Sequence, residues 1–231
     1  MPDQTPADPT PAARRLRTIP LFTQLSDEEI ARVSAAARER LYPKNSVILF
    51  EDDPGDALYV VLSGEVKVVL IGEDGREVIL SILRGGDFFG EMSLIDDQPR
   101  SAHVIATEAS NLMVLRRDEF RECLEQTPRI ALGLLRALSR RLRRADDKIG
   151  GLVLLDVTGR VARVLLELAD EHDGERVPRK ITHHMLAQMI GSSRETVSRT
   201  LRELADKGLI QVSRKDIAIL DRPRLEDLAG L

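Results

Sequence analysis

The sequence predicts an α+β protein of two domains, an all-β unit and a small helical unit joined by one long helix. Three patterns carry this reading. Between residues 47 and 106 the chain repeats short β-branched runs separated by Gly, Pro, Asp and Ser, which is the spacing of strands in a sandwich, jelly roll or barrel. From 131 to 152, Ala131, Leu135, Leu138, Leu142, Ala145, Ile149 and Leu152 step alternately by four and three, a single a/d stripe. From 182 to 220, two short helices separated by Gly191 are followed by two apolar runs joined through Ser213-Arg214-Lys215-Asp216, the order of a winged helix. At 231 residues the chain has room for two cores.

Taken in order, residues 1–17, with Pro2, Pro6, Pro9 and Pro11, read as a disordered tail. Ser26 with Glu29 three residues on is a capping box that starts a short helix. Strands are expected at 47–50, 58–62, 66–70, 78–82 and 104–106, with turns at 53–56, 63–64, 72–75 and 85–87. A second short helix covers 117–126 and stops before Pro128. The long helix follows, and its a/d stripe requires a second helix. Its other faces carry Arg136, Arg140, Arg141, Arg143, Arg144, Asp146, Asp147 and Lys148, too polar for burial inside one domain and suited to a two-stranded coiled coil between chains. Asp156 caps the next helix, whose apolar face is Val157, Val161, Val164, Leu165 and Leu168.

Composition excludes several classes. Aromatic residues are 3% of the chain and Trp is absent, so both cores must be aliphatic. No apolar run approaches the ~20 residues of a membrane-spanning helix, and the first residues are Pro-rich and acidic rather than a basic-then-apolar leader; a cytoplasmic protein with no membrane partner is expected. The single Cys123 permits no internal disulfide, zinc finger or thiolate-held cluster, and is read as a buried small hydrophobe. No nucleophile-base constellation or metal cluster is apparent, and adjacent His183 and His184 point ~100° apart on a helix, poor for chelation; no enzyme activity and no metal are expected. The net charge of −4 argues against a nucleic-acid partner, yet between residues 176 and 215 nine basic residues face three acidic ones. The local distribution governs phosphate binding.

In the second helical pair, Ala187 allows close approach, Gly191 takes the turn and Val197 plugs the core. Ser192 and Glu195 are read as a capping box that fixes the start of the second helix. Val197, Leu201 and Leu204 share one side of that helix, while Arg194, Glu195, Ser198, Arg199 and Arg202 share the other. Arg bonds guanine O6 and N7 bidentately and Glu accepts from cytosine N4, so this outward face is chemically fit for the major groove of double-stranded DNA. The wing tip, Arg214-Lys215, would meet phosphates.

Within the β unit, Phe89-Gly90-Glu91-Met92-Ser93-Leu94 and then Pro99-Arg100-Ser101-Ala102 combine a donor-rich turn, a carboxylate and an arginine. Such a set suits a sugar phosphate, with Arg100 on the phosphate, Glu91 on a ribose hydroxyl and Ser101 as a further donor. These two segments resemble the phosphate-binding cassette of cyclic-nucleotide-binding domains. Residues 155–162, Leu-Asp-Val-Thr-Gly-Arg-Val-Ala, and 191–199, Gly-Ser-Ser-Arg-Glu-Thr-Val-Ser-Arg, resemble the hinge and recognition helix of the bacterial cyclic-AMP receptor protein family of transcription regulators. The resemblance covers residues 19–220.

It implies a β-roll (jelly-roll) sensor domain at 18–128, a coiled-coil dimerisation helix at 129–155 and a winged helix-turn-helix DNA-binding domain at 156–231. It further implies a homodimer gated by cyclic AMP, an inverted-repeat DNA target with TGTGA-like half-sites, and RNA polymerase as a partner. Carried over residue by residue, Gly90 and Glu91 would hold the ribose, and Arg100, Ser101 and the Ala102 backbone the cyclic phosphate, with Met92 and Ser93 also counted among the ligand-binding residues. Arg194, Glu195 and Arg199 would read base edges, Thr182 and His183 would sit near phosphates, and Ser193, Thr196, Arg214 and Lys215 are also counted among the DNA-binding residues. Met92 stands where the cassette usually has Leu, a near volume-conserving exchange. At the Thr-Ser pair that bonds adenine in the family's cyclic-AMP receptors this chain has Ala145-Asp146; Asp146 can accept from the adenine amino group and Ala145 bonds nothing. The alternatives are a regulator of the same family sensing another effector, and a cyclic-nucleotide-binding module without DNA readout. Oxygen sensing by an iron–sulfur cluster lacks its cysteines.

Overall fold

The computed structural model describes residues 11–178, 180–213 and 216–231, and contacts divide the chain into two compact units: up to 71 with 80–141, and 72–79 with 142–231. The first begins with helices α1 (Pro11–Arg17) and α2 (Asp27–Ala36). The helix at α1 corrects the expectation of a tail through residue 17: Leu16 is 1% exposed and locks this turn onto the core. Residues 1–10 lie outside the described residues. The Ser26–Glu29 capping box is present as read, with both reciprocal bonds made.

Eight strands follow: β1 (Arg38–Tyr42), β2 (Val47–Leu49), β3 (Ala57–Ser63), β4 (Glu65–Ile71), β5 (Glu77–Arg84), β6 (Phe88–Phe89), β7 (His103–Ala106) and β8 (Ser110–Arg116), with the short helix α3 (Met92–Ile95) between β6 and β7. They form two four-stranded sheets, β1-β8-β3-β6 and β2-β7-β4-β5. Strands β1, β6 and β8 were not predicted, and the packing explains the last. Leu112 and Val114 of β8 join Tyr59, Val61, Val66 and Val104 between the sheets, while Met113 and Leu115 join Leu58, Val60, Phe22, Ile30 and Phe120 on the outer, helix-covered side. A strand buried on both faces has no polar alternation to reveal it.

Helix α4 (Arg117–Gln126) leads into α5 (Pro128–Leu154), a single 27-residue helix. Ile130 and Leu134 seat its first turns on the core of the β unit. Leu135, Leu142, Ile149 and Leu152 of the predicted stripe are all more than half exposed on the single chain.

The second unit contains α6 (Val157–Asp170), β9 (Arg176–Pro178), α7 (His183–Ile190), α8 (Arg194–Asp206), β10 (Ile210–Val212), β11 (Asp216–Ile219) and α9 (Arg222–Ala229). Strands β10, β11 and β9 make an antiparallel three-stranded sheet in that spatial order. Helix α9 was not predicted, although Asp221 caps it and Pro223 lies in its first turn. It packs so closely on α6 that a Cβ on Gly159 would stand 2.7 Å from the Leu228 carbonyl oxygen. Arg163 of α6 ties the ends together: its Nε and Nη2 donate to the Ala229 carbonyl, and its Nη1 donates to that of Asp147.

Candidate nucleotide cassette and DNA-reading helix

The cassette is built around a buried arginine. Arg100 is 3% exposed, its backbone pinned by Arg100 N donating to the Asp53 carbonyl and accepting at its own carbonyl from Asp52 N. Its guanidinium donates through Nη1 to the Gly90 carbonyl (2.7 Å) and through Nη2 to the Ala57 carbonyl (2.9 Å), with Asp56 Oδ1 at 3.4 Å and the Tyr59 ring 6.0 Å away. Burial draws the Arg100 pKa below its ordinary value, while Tyr59 and Asp56 act to raise it; Arg remains a cation at any physiological pH. Its Nε is buried and without a partner, so the group retains an unused donor. Gly90 turns the chain at φ +82°, and a Cβ there would meet Arg100 Nη1 at 2.7 Å; only glycine lets this carbonyl reach the guanidinium.

Glu91, 2% exposed, is ion-paired with Arg141 of α5 at 2.6 Å. Arg141 also donates to the Phe88 carbonyl and lies 4.6 Å from the Phe88 ring centre. Sequence reasoning had placed Arg141 among solvated faces of the coiled coil. Its signal was available, because Ile130, Leu134, Ala137 and Arg141 step by four, three and four along the core-facing side of α5, which makes Arg141 the charged end of an apolar stripe. Arg117 was missed too. Its guanidinium bonds the carbonyls of Gly55 and Ser93 and pairs with Asp97, fastening the cassette turn to α4.

Of the other residues read for the ligand, Met92 is about half exposed and its sulfur lies 3.9 Å from the exposed Ser101 hydroxyl. Ala102 is buried beside them. Ser93 turns inward and is packed against Gly55, where an added Cβ would stand 2.2 Å from Ser93 Cβ. Ala145 and Asp146 lie exposed on α5.

In the second unit, α7 ends at Gly191 in the left-handed region, φ +65°, and Ala187, Ile190, Val197, Leu201 and Leu204 interlock the two helices. The cap of α8 is Ser193, not Ser192: its hydroxyl accepts from Thr196 N at 3.1 Å. The reciprocal box is absent from the cap as built, and the Glu195 carboxyl is instead held below its ordinary pKa by its own backbone N–H first and the Ser193 hydroxyl second. It is therefore an anionic acceptor at neutral pH. Arg194, Glu195, Arg199 and Arg202 are exposed, and Thr196 is partly so. Thr182 caps α7 by accepting from Met185 N, and His183 Nδ1 meets Ser198 Oγ at 2.9 Å, linking α7 to α8. Arg214 and Lys215 lie outside the described residues; beside them Ser213 and Asp216 close the turn.

Two family descriptions match the chain, Cyclic nucleotide-binding domain over residues 39–127 and Crp-like helix-turn-helix domain over 159–228. The CRP-like cAMP-activated global transcriptional regulator of Mycobacterium tuberculosis is 35% identical over 89% of this chain and 94% of its own length. The chain belongs to the cyclic-AMP receptor protein family. The Cyclic AMP receptor protein of Thermus thermophilus is 37% identical over 91% of this chain and 96% of its own length. Among solved structures, the c-di-GMP responsive global regulator of Xanthomonas campestris matches at a TM-score of 0.73 and 29% identity, covering 84% of this chain and 99% of that one. The family's members are transcriptional regulators rather than enzymes, and no described helix here is long and apolar enough to cross a membrane.

Proposed function

We propose that the chain is a homodimeric transcription regulator whose effector is cyclic AMP and whose DNA site is an inverted repeat with TGTGA-like half-sites, acting with RNA polymerase. The observation that carries the effector reading is the buried Arg100, set by glycine and two carbonyls with an unused donor. A cyclic phosphate satisfies that donor and the cation together, and Ser101 is exposed beside it. The ribose 2′-hydroxyl donates to Glu91, which Arg141 keeps in place. Ala145 and Asp146, on the turn of α5 after Arg141, are assigned to the base.

The dimer reading is supported by the exposed leucines of α5, an apolar stripe that water would otherwise cover. For the DNA, Arg194, Glu195 and Arg199 are exposed on a helix capped at Ser193, with Thr196 on its first turn, and Thr182 and His183 begin the neighbouring α7; Arg214 and Lys215, between β10 and β11 in sequence, are assigned to phosphates. A second effector reading has its own support: Ala145 offers the base no hydrogen bond, and the Xanthomonas campestris relative is described as c-di-GMP responsive. Calorimetric titration with cyclic AMP, cyclic GMP and c-di-GMP separates the two. Tightest binding by cyclic AMP supports the first, and a preference for either other nucleotide replaces it.

A further inference from the structure

Helix α5 has a third face that neither the apolar stripe nor the cassette uses. At about 100° per residue, Arg129, Gly133, Arg136 and Arg140 fall within an arc of roughly 60°, on the opposite side of the helix from Leu135, Leu138 and Leu142. Their face also lies about 100° from the core-facing Ile130, Leu134, Ala137 and Arg141. A second chain on the apolar stripe would therefore leave it open.

The loop between α1 and α2 builds a wall against this face. Gly133 permits the approach: a Cβ there would come within 3.2 Å of both the Leu21 carbonyl oxygen and the Leu21 side chain. Pro20, Leu21, Thr23 and Gln24 on the loop and three exposed arginines on the helix line a half-open pocket of about 290 Å³. Arg129 Nη1 donates to the Gln24 carbonyl at 3.1 Å and fixes one edge. Glu29, held ionised mainly by the Ser26 amide, lies near enough to Arg129 to offset part of its charge. Among the described residues, Arg136 and Arg140 have no acidic partner, although like charges four residues apart on a helix repel.

We propose that this pocket binds a small polyphosphate, the chain of phosphates of a nucleoside 5′-polyphosphate or its inorganic equivalent. Three guanidinium groups spaced over roughly 16 Å of helix suit an anion whose charge is spread along a chain, and each offers the planar fork that matches phosphate oxygens. The loop wall and the small volume disfavour a macromolecular backbone, and the absence of a carboxylate beside Arg136 and Arg140 disfavours a cation.

The test is calorimetric titration of inorganic triphosphate, at fixed ionic strength, into the wild type and two double variants. One is R136A/R140A. The other is R194A/R199A, which loses the same charge from the exposed face of α8. Circular dichroism verifies that both fold, as expected of exposed Arg→Ala changes on helices. Expected is saturable binding of one triphosphate per chain to the wild type and to R194A/R199A, weakened at least about tenfold in R136A/R140A. Equal weakening in both variants would mean generic attraction to cations and sink the proposal. Undiminished binding in R136A/R140A would place the anion elsewhere, the nucleotide cassette included, without touching the effector reading. Absence of saturable binding overturns it as well, as does a titration with random duplex DNA in which R136A/R140A loses duplex affinity and keeps triphosphate.

Discussion

The proposed nucleotide and DNA sites of this chain use arginine in opposite ways. Arg100 is withdrawn from water, its side chain clamped by the Gly90 and Ala57 carbonyls and its backbone by the loop at 52–53. Arg194 and Arg199 stand in solvent on α8, and Arg199 has only a loose i,i+4 contact of 3.8 Å to Glu203. The difference follows from what each is proposed to meet. A small ligand is enclosed, so the desolvation of its cation is incurred on folding and the site is ready; a DNA duplex brings its own surface, and exposed side chains retain the freedom to settle on it. Loss of the first kind of arginine should be local and large, and loss of the second graded and dependent on sequence.

That contrast can be broken most sharply at Arg100. Arg100→Leu should weaken cyclic-nucleotide binding by ~2 to 5 kcal/mol while leaving affinity for random duplex DNA unchanged, read by calorimetry and by fluorescence anisotropy. A parallel fall in both would mean that the substitution has unfolded the chain rather than emptied a pocket. Next in size, Arg194→Ala should lower preference at one guanine by ~1 to 3 kcal/mol, whereas Arg214→Ala, the proposed phosphate contact, should weaken all sequences alike and flatten the salt slope. Anisotropy on a panel of single-base variants at several salt concentrations distinguishes them, and an equal loss for Arg194→Ala on specific and random duplexes would remove its reading role.

A third substitution probes the helix itself. Gly150 has open space where a Cβ would go and Gly151 an ordinary 3.5 Å contact to Arg163, so Gly150→Ala/Gly151→Ala fits and should stabilise this end of α5 by about 2 kcal/mol. If effector binding works by firming this turn, the double variant should bind DNA appreciably without nucleotide. Unchanged dependence on nucleotide in a folded dimer would discard that mechanism. Smallest of all, Ser193→Ala should cost about 1 kcal/mol of thermal stability through the lost cap, whereas Ser192→Ala should cost almost nothing, which sharpens the corrected start of α8.

The legibility of these features in the sequence followed the same contrast. The face of α8 could be read because one side of a helix is polar and the other is not, and Thr182, Asp156 and Ser26 announced their helices by cap chemistry. The Ser193 cap was misread by one residue because Ser192 and Ser193 are adjacent and only Ser192 has a Glu three residues on, the spacing of a capping box. Motif spacing gave Glu91 and Arg100 as a set, but nothing in that spacing could show that Arg141, 50 residues further on, pairs with Glu91. Strand β8 hid because burial on both sides erased its alternation, and β1 because its Arg-Glu-Arg run looks like loop. Helix α1 hid behind the prolines that precede it, though a proline at a first turn starts helices as readily as it ends them.

The missing side chain at Gly159 has a consequence for motion. With the backbone of α9 lying in the space a methyl group would fill, and Arg163 holding the Ala229 carbonyl, α9 cannot lift without exposing the first half of α6. Amide protons in these two helices, more than 50 residues apart in the chain, therefore belong to one cooperative opening unit and should exchange with deuterium at a common free energy.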